Sequence, residues 1–109
     1  MAETYKPFGA ALTTTYATVY TCPSATTAIV LSAIAANVDG SVSAGVSAQW
    51  LDSSNSDTAK RIIDGVVVPA TASVNLMSGP IALEAGDAFQ AKASASGDIE
   101  LTLVVDEIT

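Results

Sequence analysis

The chain has 109 residues, a length that fits one domain of ordinary size. Half of the residues are apolar and 14% are charged, and eleven acidic against four basic residues, with no histidine, give a net charge of −7. The few scattered basic residues argue against binding to nucleic acid or to an anionic membrane, and the densest apolar stretch, 28–36, is far shorter than the roughly 20 residues of a membrane-spanning helix.

The N-terminal segment, residues 1–15, contains Pro7, Gly9 and a run of threonines without a clear hydrophobic period. We expect it to be an N-terminal arm or a first edge strand, with residues 16–109 forming the folded domain. We expect no secretory signal here, because the N-terminal residues contain no basic patch followed by an apolar segment. We therefore expect a soluble protein that is made in a cytoplasm.

The first half of the chain contains three predicted strands. Ala17–Thr21 alternates apolar and polar residues and is followed by Pro23, which cannot donate to a sheet ladder. Thr27–Asn37 is rich in small and β-branched residues and is expected to be a strand buried on both faces. The Asp39-Gly40 pair that follows predicts a hairpin turn into the next strand. That strand, 42–50, alternates strictly, with valine, alanine and tryptophan on its inner face.

The second half continues the same pattern after a polar loop at 52–57. The remaining predicted strands are 59–68, 73–76, 81–83, 89–95 and 99–105, separated by turns at 84–87 and 97–98. About eight strands at intervals of roughly 8–12 residues are typical of an all-β fold, an antiparallel β-sandwich of jelly-roll or immunoglobulin-like type. Because no helical segment separates the strands, a parallel βαβ architecture is not expected.

Catalytic chemistry has little support in the sequence. The absence of histidine removes the most common general base and metal ligand. The single cysteine, Cys22, cannot form an internal disulfide and is expected to be a buried, inert thiol. We predict no enzyme activity, no catalytic residue, no cofactor and no metal site.

Two carboxylate patterns bear on that prediction. Glu84, Asp87 and Glu100 could supply a glycosidase pair by residue type, but turn formation explains the aspartate better. The 52–57 loop begins like a calcium loop but has Asp57 where the motif requires glycine and Ile63 where it requires glutamate. We expect a solvated hairpin tip, with a weak, irregular calcium site as the alternative.

Five parts of the chain form a recognisable pattern: VYTCP at 19–23, AIVL at 28–31, ANVDG at 36–40, LEAGD at 83–87 and the closing strand. This pattern resembles small virion proteins of tailed bacteriophages, and the resemblance spans residues 17–108. The resemblance implies a non-enzymatic β-sandwich subunit of the virion, and within that class a capsid decoration or cement protein that binds the major capsid protein. A neck, tail or fibre component is the alternative within the class.

The resemblance also implies contacts with other subunits. The N-terminal arm would contact a neighbouring subunit through Tyr5, Phe8 and Leu12. Self-association, for example as a trimer, is expected in such a virion protein. The rival class is a carbohydrate- or ligand-binding sandwich module, which would need exposed aromatic side chains.

Overall fold

The computed structural model describes residues 2–109, which form two antiparallel β-sheets packed against each other. The strands are β1 Glu3–Ala11, β2 Ala17–Thr21, β3 Thr27–Asn37, β4 Ala44–Asp52, β5 Thr58–Val68, β6 Ser73–Asn75, β7 Ile81–Leu83, β8 Ala88–Ala93 and β9 Ile99–Ile108. Sheet I has the order β1-β9-β3-β6, with β7 also paired to β3, and sheet II has the order β2-β8-β4-β5. The predicted all-β antiparallel sandwich is confirmed. In the part of the chain described, no helix is long and apolar enough to cross a membrane.

The core lies between the two sheets and follows the period of two in the sequence. On β9 the inner residues Ile99, Leu101, Leu103 and Val105 are all at most 1% exposed. They pack against inner residues of sheet II such as Phe89, which is fully buried. Full burial of one such side chain is worth about 2 kcal/mol relative to exposure, so this alternation is the main determinant of the sandwich.

The segment after β3 differs from the prediction. Asp39-Gly40 does not form a hairpin turn, because β3 belongs to sheet I and β4 to sheet II. The Asp39 carboxylate instead accepts hydrogen bonds from the backbone N–H groups of Ser41 and Val42, at 2.8 and 3.2 Å, and these bonds lower the pKa of Asp39. Val42 is 55% exposed rather than inward, and β4 begins only at Ala44. Asp39 and Gly40 are therefore part of the connection from sheet I to sheet II.

The N-terminal segment forms the edge strand β1, which pairs with β9 along its whole length from Glu3 to Ala11. Beyond β1, the Leu12 N–H donates to the Ile99 carbonyl at 2.9 Å. At the other end of the strand, Ala2 and Thr109 exchange two backbone hydrogen bonds of 2.9 Å. The segment is therefore attached to sheet I of its own chain, while a domain boundary near residue 15 stays a prediction.

The turn before β8 depends on a glycine. Gly86 has a φ of +90°, and a Cβ atom built on it would lie 2.9 Å from the Ser53 hydroxyl. Glycine is the residue that adopts this conformation without a steric penalty. The turn brings the backbone of 84–87 against the loop that joins β4 to β5.

Candidate interaction surfaces

The three predicted arm residues occupy three different environments. Tyr5 is 65% exposed, Phe8 is half-buried with its ring 4.8 Å from the ring of Tyr20, and Leu12 is 3% exposed within the core. Phe8 and Leu12 therefore hold β1 to its own sandwich. Of the three, Tyr5 is the side chain most open to a second molecule, and its contact with a partner stays a prediction.

A buried carboxylate on β9 connects β1, in the same sheet, with β2 in the opposite sheet. Glu107 on β9 lies 2.8 Å from the Lys6 ammonium on β1, and its other oxygen accepts a hydrogen bond of 2.6 Å from the Tyr20 hydroxyl on β2. These partners lower the pKa of Glu107, while burial and the nearby carboxylate raise the pKa of Tyr20. The network joins sheet I to sheet II.

Sequence reasoning missed this network, although the signal was present. The alternation that places Val105 inward also places Glu107 inward. A carboxylate at an inner position requires a hydrogen-bonding partner, and an inward tyrosine on β2 was available to supply it.

The outer face of sheet I carries several apolar side chains. The strand register aligns Tyr5 with Asp106 and Ile29, and Pro7 with Val104. Leu31 and Ile34, farther along β3, are each 41% exposed. We call this surface the apolar face; its apolar residues are Tyr5, Ile29, Leu31, Ile34 and Val104. Grouped exposure of this kind is typical of interaction surfaces, whereas single exposed apolar residues are normal.

The same face carries carboxylates. By the alternation along β1 and β9, Glu3, Glu100 and Asp106 share this side of the sheet. Asp106 lies on the outer side of the sheet, yet it is only 5% exposed because it lies between Tyr5 and Ile29 on the neighbouring strands. Its Oδ1 atom is buried without a hydrogen-bond partner among residues 2–109. A side-chain hydrogen bond with the adjacent Asp106, together with the repulsion between the two carboxylates, raises the pKa of Glu3.

The outer face of sheet II has a different character. The Arg61 guanidinium lies 5.0 Å and the Lys92 ammonium 4.9 Å from the centre of the Tyr16 ring. Arg61 also donates to the Gln49 side-chain carbonyl, and Gln49 donates to Gln90 at 2.8 Å. We call this surface the basic face; it is defined by Tyr16, Gln49, Arg61, Gln90 and Lys92. Two of the four basic residues of the chain lie here.

The fold brings together three of the carboxylates considered for catalysis or calcium binding and separates the fourth from them. Asp52, Glu84 and Asp87 place carboxylate oxygens within 4.8 Å of one another, while Glu100 lies on the outer face of sheet I. Both oxygens of buried Asp87 already accept hydrogen bonds, from the Ser53 N–H and hydroxyl at 3.0 Å and from the Glu84 N–H at 2.9 Å. Asp87 therefore fixes the turn against the β4–β5 loop.

The remaining residues singled out in the sequence contribute to packing. Cys22 is 2% exposed, and its thiol lies 3.3 Å from the Thr26 carbonyl. Burial raises the pKa of Cys22, so the reactive thiolate is disfavoured. Trp50 is partly buried against the core.

Comparison with known proteins gives one informative result. No protein-family model matches the chain, and no curated protein matches it. Among solved structures, a chain from Bacillus endospore appendages, described as a novel family of disulfide-linked pili, is similar over 99% of this chain and 87% of that one, with a TM-score of 0.58 and 13% sequence identity. At this identity, what is shown is that the present chain shares the all-β fold of that pilus protein over nearly its whole length.

Proposed function

We propose that this protein is a non-enzymatic structural subunit whose copies associate with one another in a larger assembly. The observation that carries the proposal is the fold likeness to an appendage protein, which extends over 99% of the chain. The apolar face supports it, because exposed apolar surface of this kind is typical of protein–protein contacts.

The mode of association differs from the one named for the structural neighbour. That protein belongs to disulfide-linked pili. The present chain has one cysteine, Cys22, which is 2% exposed. Because a thiol in the core cannot reach a second chain without opening the sandwich, we propose that the copies associate without disulfide links.

A second candidate is a capsid decoration protein of a tailed bacteriophage, acting in the virion after assembly in the host cytoplasm. It is supported by the sequence resemblance over residues 17–108. In that role the partner would be the major capsid protein, whereas a neck, tail or fibre position would involve other virion proteins. A carbohydrate-binding role has less support, because Trp50 packs against the core instead of forming an open platform.

Sedimentation of the purified chain tests the main proposal. We expect oligomers or fibres to form as the concentration rises from about 1 μM to about 1 mM, the range of weak specific association. A sample that stays monomeric throughout this range overturns self-association.

The second candidate is tested on phage particles made from the genome that encodes the chain. Mass spectrometry shows whether the protein is present in the particles, and its absence excludes a virion role. Cryo-microscopy then shows where it lies, and density on the head distinguishes a decoration protein from a tail component.

A further inference from the structure

Edge-to-edge pairing between copies is disfavoured at each sheet edge of residues 2–109. The edge strand β1 contains Lys6 and also Pro7, which lacks an N–H donor. In sheet II, the register of β2 shifts between Thr18 and Tyr20, and β5 is interrupted by register shifts and by Gly65 with a φ of +74°. The remaining edge strands, β6 and β7, have three residues each. Proline, charge, bulges and short length are the usual protections of a sheet edge. A contact between copies is therefore expected to use the sheet faces.

The two outer faces are complementary in charge. The apolar face carries the carboxylates of Glu3, Glu100 and Asp106, and Asp106 has a buried oxygen without a partner. The basic face presents Arg61 and Lys92, whose charged groups lie 5.0 and 4.9 Å from the centre of the Tyr16 ring. One carboxylate, Asp64, also lies on that side, 3.3 Å from the Ser47 hydroxyl, so the basic character is modest. For a chain with a net charge of −7, opposing a positive patch to a negative one avoids the repulsion that like faces would produce.

We propose that the apolar face of one copy packs on the basic face of a second copy. In this contact the exposed apolar residues Tyr5, Leu31 and Ile34 lie against the Tyr16 side of sheet II, and Arg61 and Lys92 approach the carboxylates of the partner. The proposal rests on the self-association proposed above and specifies the surfaces that produce it.

The size and symmetry of this contact fit a repeating assembly. The molecule measures 46 × 27 × 21 Å, so one broad face has room for the roughly 800 Å² per partner of a standard interface. The two surfaces in contact are different, so a pair of copies keeps one free basic face and one free apolar face. A contact of this type continues into a ring or a fibre.

Charge reversal on each face separately provides the test. The first variant is Arg61→Glu with Lys92→Glu, which makes both faces acidic, and the second is Glu3→Lys with Glu100→Lys, which makes the apolar face basic. Each variant alone opposes like charges, and we expect its self-association to weaken at least about tenfold. An equimolar mixture opposes unlike charges at every contact, so we expect association to return. Circular dichroism of each variant verifies the fold.

A second pair of variants tests the contact without altering the basic face. Leu31→Thr with Ile34→Thr removes apolar surface without adding charge and should weaken association, whereas the matched control Val42→Thr, at a residue that is 55% exposed outside both faces, should not. The proposed contact is overturned if the wild type associates and the charge-reversed variants associate equally well, if the mixture fails to recover, or if the Leu31 and Ile34 substitutions have no effect. A wild type that never associates overturns the proposed function itself, so the two failures are distinguishable.

Discussion

The hydrogen bond from Tyr20 to Glu107 gives a quantitative prediction. Tyr20→Phe removes a hydroxyl that lies 2.6 Å from the carboxylate and leaves the rest of the buried ring in place. A hydrogen bond to a charged group contributes roughly 1.5–3 kcal/mol, and the carboxylate that loses it is only 7% exposed. We expect a loss of about 2 kcal/mol in the free energy of unfolding at pH 7. For a domain of about 100 residues this corresponds to a decrease of about 10 °C in Tm.

The loss should depend on pH. The pKa of Glu107 is lowered in the folded protein from its ordinary value of 4.5, so its charged form adds stability above that value, and this stability disappears as the pH falls through the lowered pKa. Without the Tyr20 hydroxyl the pKa is lowered less. The wild type should therefore lose more stability than Tyr20→Phe between pH 7 and acid, and the difference between the two should fall to about 1 kcal/mol once Glu107 is protonated.

Urea unfolding followed by Trp50 fluorescence at neutral and acid pH measures both quantities. Tyr5→Phe is the matched control, because its hydroxyl belongs to a side chain that is 65% exposed. The control should stay within about 0.5 kcal/mol of the wild type. Two results would show that the Tyr20 hydroxyl does not stabilise the charged form of Glu107. One is a Tyr20→Phe variant as stable as this control, and the other is a loss in the free energy of unfolding that is the same at both pH values.

Three further predictions concern separate parts of the fold. Leu12→Ala should destabilise the protein by about 2–5 kcal/mol in urea unfolding, because Leu12 is 3% exposed; a nearly neutral result would contradict its place in the core. Native Cys22 should react with a thiol reagent far more slowly than the denatured chain, and equal rates would show that the thiol is accessible. Gly86→Ala should lower Tm through its φ of +90° and the contact at 2.9 Å, whereas Gly40→Ala, with nothing within 4 Å of its Cβ, should not; equal effects would argue against strain at the turn.

The strands and the core were largely predictable from the sequence because they depend on local alternation. The strand predicted at 99–105 is an example: a period of two places Ile99, Leu101, Leu103 and Val105 on one face, and these are the buried inner residues of β9. The strand partners were not predictable in this way. Asp39-Gly40 has the composition of a hairpin turn, yet the Asp39 carboxylate accepts backbone hydrogen bonds within a connection between the two sheets.

The interaction surfaces depend on partners that are distant in sequence. Tyr16 and Lys92 are separated by 76 positions, and only the pairing of β2 with β8 brings their neighbourhood together. Asp106 illustrates the same limit. Alternation along the strand predicts the face of the sheet on which Asp106 lies, but it does not predict which residues of the neighbouring strands bury it. The hydrogen bonding of Glu107 could have been predicted from the sequence, because an inward acidic residue requires a partner.

The paired ends of the chain have a practical consequence. Because the backbones of Ala2 and Thr109 exchange two hydrogen bonds of 2.9 Å, polypeptides attached to the two ends would leave the sandwich from the same point. The whole fold could therefore be inserted between two adjacent residues of a surface loop in another protein, without a long linker to span the domain. By the same geometry, joining the ends with a short linker and opening the chain in the exposed 52–57 loop should give a circular permutant with the same sheets.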